Sequence, residues 1–395
     1  MTDSGIACHY VPDLVAVPRH QAGLVAEFLT GDDEWGFLGP EDLFEFLGGE
    51  VRPEIVEKML TLISVVRLGN NDPREVAPRL RKGGIDASPI HGLGPMNHIS
   101  AMPGTEPTES KASIEPDQHY PDPYGVVAVV DTGITTEIPE WLSSGMRWDD
   151  PEDIENLGGG VVASHGTFVS GLIRLISPNH VVSMARAREV DASRLLPQLS
   201  EEHVQDVGGN LTTELHVLEA IVRLVDRHAG DPVDALNLSL GGYTCEKDDP
   251  AMVALGVAIA YWLQRFPRAP IFAAGGNTPA KRAVYPGAFQ HVRAVAAAID
   301  GGDHVVWDPH STTKPKPPTV VPRRPWITDV APGSNLLGPS GVSKDHVVKW
   351  SGSSFATAVA TACYVSRRPM EVDIDLICWP AIKVPYGGIP GLHWA

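Results

Sequence analysis

From Gly125 onward the chain alternates short, unbroken apolar runs with amphipathic stretches of helical period, and this alternation limits its fold more than any other feature. The runs are Val126 to Val130, Val233 to Leu240, Ile271 to Ala274 and Val292 to Ile299, and the helical stretches include Glu214 to His228 and Met252 to Phe266. Runs apolar on both faces are not half-solvated hairpins; they read as buried parallel strands joined by crossover helices. The expected fold class is α/β, a doubly wound, mostly parallel sheet with helices on both faces, preceded by a small α+β N-terminal domain.

At 395 residues the chain exceeds the roughly 250 to 300 at which one core stops growing. Three parts are expected: an α+β domain over residues 1–101, a linker over 102–124 and the α/β domain over 125–395. In the first, Gly31 to Glu50 is acidic and aromatic, Pro53 to Leu60 predicts a helix and Ile63 to Leu68 a strand. Asp72 and Pro73 supply the cap and first position of another helix, which Gly83-Gly84 closes. The stretch from Met102 to Tyr124 turns to Pro, Ser, Thr and acid, the composition of a linker.

A composition of 43% hydrophobic and 20% charged residues is that of a globular chain rather than a disordered one. The net charge of −18 argues against nucleic acid as a partner. Met1-Thr2-Asp3-Ser4-Gly5 offers neither the basic head nor the apolar run of a secretory signal, so a cytoplasmic location without membrane attachment is expected. Cys8, Cys245, Cys363 and Cys378 are scattered without CxxC spacing and read as free thiols. The sequons at Asn210 and Asn237 carry no weight without secretion.

Residues capable of hydrolytic chemistry punctuate this framework. Asp131 ends five apolar residues and so lies at the carboxyl end of a strand, where open α/β sheets place their crevice. His165 opens His-Gly-Thr-Phe-Val-Ser-Gly-Leu-Ile, whose small residues let a helix start close to the sheet. Ser354 precedes Phe-Ala-Thr-Ala-Val-Ala-Thr-Ala, a helix of small side chains whose first N–H groups and dipole suit an oxyanion. Asn277 follows Ile-Phe-Ala-Ala-Gly-Gly and offers an amide donor. Ser239, Leu240, Gly241 and Gly242 end a strand with bare backbone on which an extended peptide can pair. Each alone is a common cap, turn or strand end. Together, in the order Asp, His, Ser, they form an acid, base and nucleophile with an oxyanion donor.

With Asp-Thr-Gly, His-Gly-Thr, Ser-Leu-Gly-Gly, Ala-Gly-Gly-Asn and Gly-Ser-Ser-Phe-Ala in this order, residues from about 124 to 368 resemble the subtilisin-like serine peptidases. Tyr285-Pro286-Gly287 and Val330-Ala331-Pro332-Gly333 match further family segments. The resemblance implies a serine endopeptidase with Asp131, His165 and Ser354 as triad, Asn277 and the Ser354 N–H as oxyanion hole, and Leu240 and Gly241 lining the substrate cleft. The chain departs from the family pattern at Ala358, where Pro is usual, and at Ser353, where Thr is commoner; the Gly-x-Ser register still selects Ser354.

A polypeptide substrate is implied, restricted to a protein or precursor peptide if the enzyme stays inside the cell. The N-terminal domain is expected to act as a prosegment-like unit that occupies the cleft in cis, or as a permanent accessory. A peptide-binding pseudopeptidase and an acyl-transfer variant (peptide ligase or cyclase) are the alternatives. No cofactor is required and no metal ligands are assigned. Structural calcium, frequent in relatives, has no clear motif here, because Asp149-Asp150-Pro151-Glu152-Asp153 lacks the alternation and turn glycine of a calcium loop. That run reads as a solvated acidic loop, and Pro309 to Pro325, with Lys314, Lys316, Arg323 and Arg324, as a solvated basic one.

Overall fold

A computed structural model of the chain describes residues 9–29, 35–95, 107–116, 123–148, 150–155, 164–190, 211–244, 252–279, 281–299, 303–307 and 318–368. Cys8, Asp149, Asn210, Cys245, Lys314, Lys316 and Cys378 lie outside the described residues.

The apolar runs of the C-terminal region form a seven-stranded sheet in the order Asp329–Pro332, Val292–Ala298, Ile271–Ala274, Ala235–Leu238, Gly125–Asp131, His180–Arg186, Met146–Arg147. Every neighbouring pair is parallel. Burial on both faces explains the lack of polar alternation. Val127 and Val129 join the core under the helices His165–Ile176 and Ser353–Val365, while Ala128 and Val130 join the core under Glu214–Arg227 and Val253–Arg265. From Gly125–Asp131 the chain moves to His180–Arg186 on one side, then crosses through Glu214–Arg227 to Ala235–Leu238 on the other. The strand order therefore reverses at the carboxyl end of Gly125–Asp131, which is where such sheets open a crevice.

The N-terminal residues form an antiparallel sheet ordered Gly36–Phe37, Ile63–Arg67, Tyr10–Pro18, Ser88–Pro95. Helix Pro53–Leu62 extends the expected Pro53 to Leu60, and Pro73–Lys82 starts at the Asp72 cap, whose carboxylate accepts the Arg74 N–H at 2.8 Å. Val15 and Val17 pack in a small core with Val76 and Leu80, whereas Leu14 and Ala16 belong to the large core that contains Leu215, Leu218 and Trp262. One face of the N-terminal sheet thus closes over the helices of the C-terminal region. Helix Pro53–Leu62 packs directly on Glu214–Arg227.

Three elements differ from the sequence reading. The run from Val233 to Leu240 divides at Ser239 into Ala235–Leu238, in the parallel sheet, and Leu240–Gly241, which leaves it. The strand Tyr10–Pro18 was not anticipated, because Pro12 and Asp13 interrupt its apolar period; the register shifts between Tyr10 and Val15. Thr108–Ser110, within the linker composition, pairs with Val347–Lys349 as an edge strand. Among the described residues no helix is long and apolar enough to cross a membrane.

Phe168 is fully buried between Phe355 and Trp350, with ring centroids 4.7 Å and 5.5 Å away. Phe168→Ala is expected to destabilise the chain by about 3–5 kcal/mol, read as a fall in the urea midpoint at unchanged slope.

Candidate active site

Asp131 closes its strand at the switch point, and its Oδ1 accepts the Thr132 N–H at 2.8 Å and lies 2.6 Å from His165 Nδ1. Both residues are buried, so the aspartate fixes the ring with a charge-assisted hydrogen bond in a medium of low polarity. That bond places the proton on Nδ1 and leaves Nε2 as the acceptor. Nε2 is buried and makes no hydrogen bond.

The close approach of His165 to Asp131 needs a glycine. A Cβ on Gly166 would come within 2.2 Å of the Gly133 carbonyl oxygen, while its N–H reaches Thr132 Oγ1 at 3.0 Å. Ser164, just before the histidine, adopts a left-handed φ of 78°, a conformation that costs a non-glycine residue free energy. Its N–H is held at 2.8 Å by Glu155 Oε2. Burial pushes the Glu155 carboxyl up to about 8, the charge of Asp131 adding to the effect and the Ser164 N–H opposing it.

Ser354 is the second residue of helix Ser353–Val365, with Gly352 rather than Ser354 at the cap. The helix runs unbroken through Ala358, so the missing proline leaves its entry intact. Ser354 is buried, and its Oγ donates to the Ser239 carbonyl at 2.9 Å. The ring of His165 stands 5.2 Å from that of Phe355, the next residue. Asp131 and His165 are therefore bonded, whereas the Ser354 hydroxyl is turned to Ser239. The neighbouring Ser353 is committed elsewhere: its Oγ accepts the Gly276 N–H at 3.3 Å, and its N–H donates to Asn277 Oδ1 at 2.7 Å. This second bond fixes which end of the Asn277 amide is acceptor and which is donor.

Ser239 connects the same elements. Its Oγ lies 2.8 Å from Asn237 Oδ1 and 2.9 Å from the Ser354 carbonyl, and Asn237 Nδ2 donates to Thr361 Oγ1 at 3.0 Å. These bonds turn the chain out of the parallel sheet, which frees the backbone of Leu240–Gly241. There it pairs antiparallel with the N-terminal strand Ser88–Pro95, Leu240 opposite Pro95 and Gly241 opposite Gly94. The same strand pairs with Thr212–Thr213 through Leu93 and Gly92. Gly242 pairs with Tyr285, whose bond to Pro286 is cis.

Within the acidic run, Asp150 and Asp153 are drawn into ion pairs rather than left in solvent. Asp153 is fully buried, with Oδ1 2.5 Å from Arg223 and Oδ2 2.6 Å from Arg227, and Asp150 reaches Arg227 at 3.3 Å. Glu219 binds Arg223 from the other side at 2.6 Å. In the described part of the basic loop, Arg324 donates to the Pro279 carbonyl at 2.6 Å in an exposed hydrogen bond. Among the described residues no group of three or more His, Cys, Asp or Glu is arranged to hold a metal ion. Cys363 is buried, and burial raises its thiol to about 12.

With this geometry in place, comparison with known proteins adds the family. Residues 125–366 match the subtilase family. The chain belongs to that family. No curated protein gives a match. Solved structures similar to this subtilase include the prenylagaramide maturation protease PagA, at 21% identity, covering 61% of this chain and 74% of that one with a TM-score of 0.42. The patellamide maturation protease PatA is similar at 20% identity over 62% and 80% of the two chains with a TM-score of 0.44, and sphericase at 18% over 67% and 84% with a TM-score of 0.41.

Glu155 and Glu214 were not singled out from sequence, although both border the site. Glu155 closes an acidic run and Glu214 opens a helix, positions where a carboxylate is ordinary. Because the Glu155 carboxyl is raised when folded, it stays protonated while the unfolded chain ionises, so its effect is to lower stability as pH climbs from about 4.5 to about 8. Burial acts on His9 and His216 in the opposite sense, holding them to about 4 and about 3. The difference in thermal midpoint between Glu155→Gln and wild type isolates the carboxyl: it is expected to grow from pH 5 to pH 8 and then level off.

Proposed function

We propose that this subtilase is a serine endopeptidase in which Ser354 attacks the scissile carbonyl, His165 accepts its proton at Nε2 and Asp131 holds the ring. The observation that carries the reading is the 2.6 Å bond from Asp131 to His165 Nδ1 with Nε2 unpartnered beside the start of the Ser354 helix. In the proposed cycle the Ser354 hydroxyl swings from the Ser239 carbonyl to Nε2, a rotation between staggered wells. Its proton passes to His165 and then to the leaving amine, while water later releases the acyl group. The Ser354 N–H, in a helix turn without intrahelical acceptors, and the Asn277 amide stabilise the oxyanion.

The substrate is proposed to be a polypeptide laid along Leu240–Gly241, with access restricted because the chain's own Ser88–Pro95 strand holds that backbone. On this reading residues 1–101 act as a prosegment-like domain.

Fluorophosphonate labelling and peptide hydrolysis are both expected in the wild-type chain and absent in Ser354→Ala. Asn277→Ala is expected to lower turnover by about 10²- to 10³-fold with little change in KM; labelling that persists in Ser354→Ala overturns the assignment. In parallel, intact mass spectra of the incubated wild-type chain are expected to show a cut between Pro95 and Gly125 that Ser354→Ala lacks. Identical spectra would make the N-terminal domain a permanent accessory.

A further inference from the structure

The strand in the cleft is held by more than backbone pairing. Glu214, fully buried at the first position of helix Glu214–Arg227, accepts two bonds from one residue of that strand: the His91 N–H at 2.8 Å and His91 Nδ1 at 2.7 Å, both on Oε1. Its Oε2 accepts the Leu255 N–H at 3.1 Å, in the first turn of helix Val253–Arg265. The carboxylate is thus anchored from behind by two elements of the C-terminal region and turned with one oxygen toward the occupant. Two residues along the strand, Leu93 is fully buried over Gly242, where a Cβ would come within 2.8 Å of Leu93 Cδ2 and 3.4 Å of Met252 Cε.

We propose that Glu214 is a specificity-determining residue that selects substrates carrying a histidine, or another hydrogen-bond donor, two residues before an aliphatic side chain seated over Gly242. This rests on the peptidase reading above, since it takes the resident strand as the template for a substrate. The chemistry follows from the contacts. Any segment replacing Ser88–Pro95 must satisfy the inward oxygen of a buried carboxylate or bear the cost of leaving it unpaired. Histidine supplies both N–H groups. Proline at that position lacks the backbone donor, and glutamate or aspartate sets two negative charges against each other. Gly242 leaves space for a leucine-sized group and marks the register.

The test uses the full chain with His91→Ala, which weakens the resident strand, and peptides with the sequence of residues 88–99 bearing His, Ala or Glu at the position of His91. Cleavage followed by mass spectrometry is expected to fall by more than tenfold from the His to the Glu peptide, with the Ala peptide between. In the chain carrying His91→Ala and Glu214→Gln, which is isosteric and uncharged, the Glu peptide is expected to come within about threefold of the His peptide. Equal rates for the three peptides in the first chain, or the same His-to-Glu ratio in both chains, overturn the inference while leaving the peptidase reading intact. If neither chain cleaves any of the peptides and neither is labelled by fluorophosphonate, the peptidase reading falls and the inference falls with it.

Discussion

Two guanidinium groups buried against one aspartate hold the site together. Asp153 binds Arg223 and Arg227 through its side chain, accepts the Arg186 N–H at 3.0 Å, and offers its own carbonyl to the Ile134 N–H at 2.9 Å. Arg186 ends the strand beside Asp131, and Ile134 lies in the turn that follows it. The network therefore ties the loop after the aspartate to the neighbouring strand and to helix Glu214–Arg227. A buried ion pair is weak evidence of net stability, because desolvation offsets much of the attraction. Its contribution here is geometric: it fixes the turn against which Gly166 packs, and the position of Gly166 sets the distance from His165 to Asp131.

Ser239 performs a comparable service on the other side. A strand continuing straight from Leu238 would keep its edges within the parallel sheet. Instead the hydroxyl bonds to Asn237 and to the Ser354 carbonyl, and the backbone departs to meet the N-terminal sheet at Leu240–Gly241. One serine thereby couples the start of helix Ser353–Val365 to the backbone of Leu240–Gly241. Ser88–Pro95 links the two regions, pairing with Tyr10–Pro18 in the N-terminal sheet and with Leu240–Gly241 beyond Ser239.

The parallel sheet was legible in the sequence because strands buried on both faces carry their identity in composition, as Val126 to Val130 and Ile271 to Ala274 show. The placement of Asp131 followed from the same logic. What was not legible depends on partners distant in the chain. The Asp153 carboxylate reads as solvated until Arg223 and Arg227 are brought round by a helix crossover, and Tyr10–Pro18 gains its strand character from Ile63–Arg67 and Ser88–Pro95 rather than from its own interrupted period. Glu214 was invisible for a similar reason. A glutamate opening a helix is favoured by the dipole alone, and nothing local reveals that His91 will be folded onto it.

On the proposed reading, the covalent link between Leu240–Gly241 and the strand Ser88–Pro95 paired with it sets how the site is regulated. A strand tethered to the domain it binds competes with free peptide at an effective concentration on the order of millimolar for short flexible connections, and here the tether is a folded domain whose helix Pro53–Leu62 is itself packed on Glu214–Arg227. On the proposed reading, free peptides well below that concentration compete poorly with the resident strand while the chain is intact. Cutting the chain beyond Pro95 removes the advantage of the tether but none of the contacts at Glu214, Gly241 and Gly242. A cut alone would leave the domain bound as a separate inhibitor, with its affinity set by the same His91 to Glu214 bonds that are proposed to select the substrate. Release and selectivity are then two readings of one contact: whatever weakens the grip of Glu214 on the resident strand also lowers the discrimination it exerts on the peptides that follow.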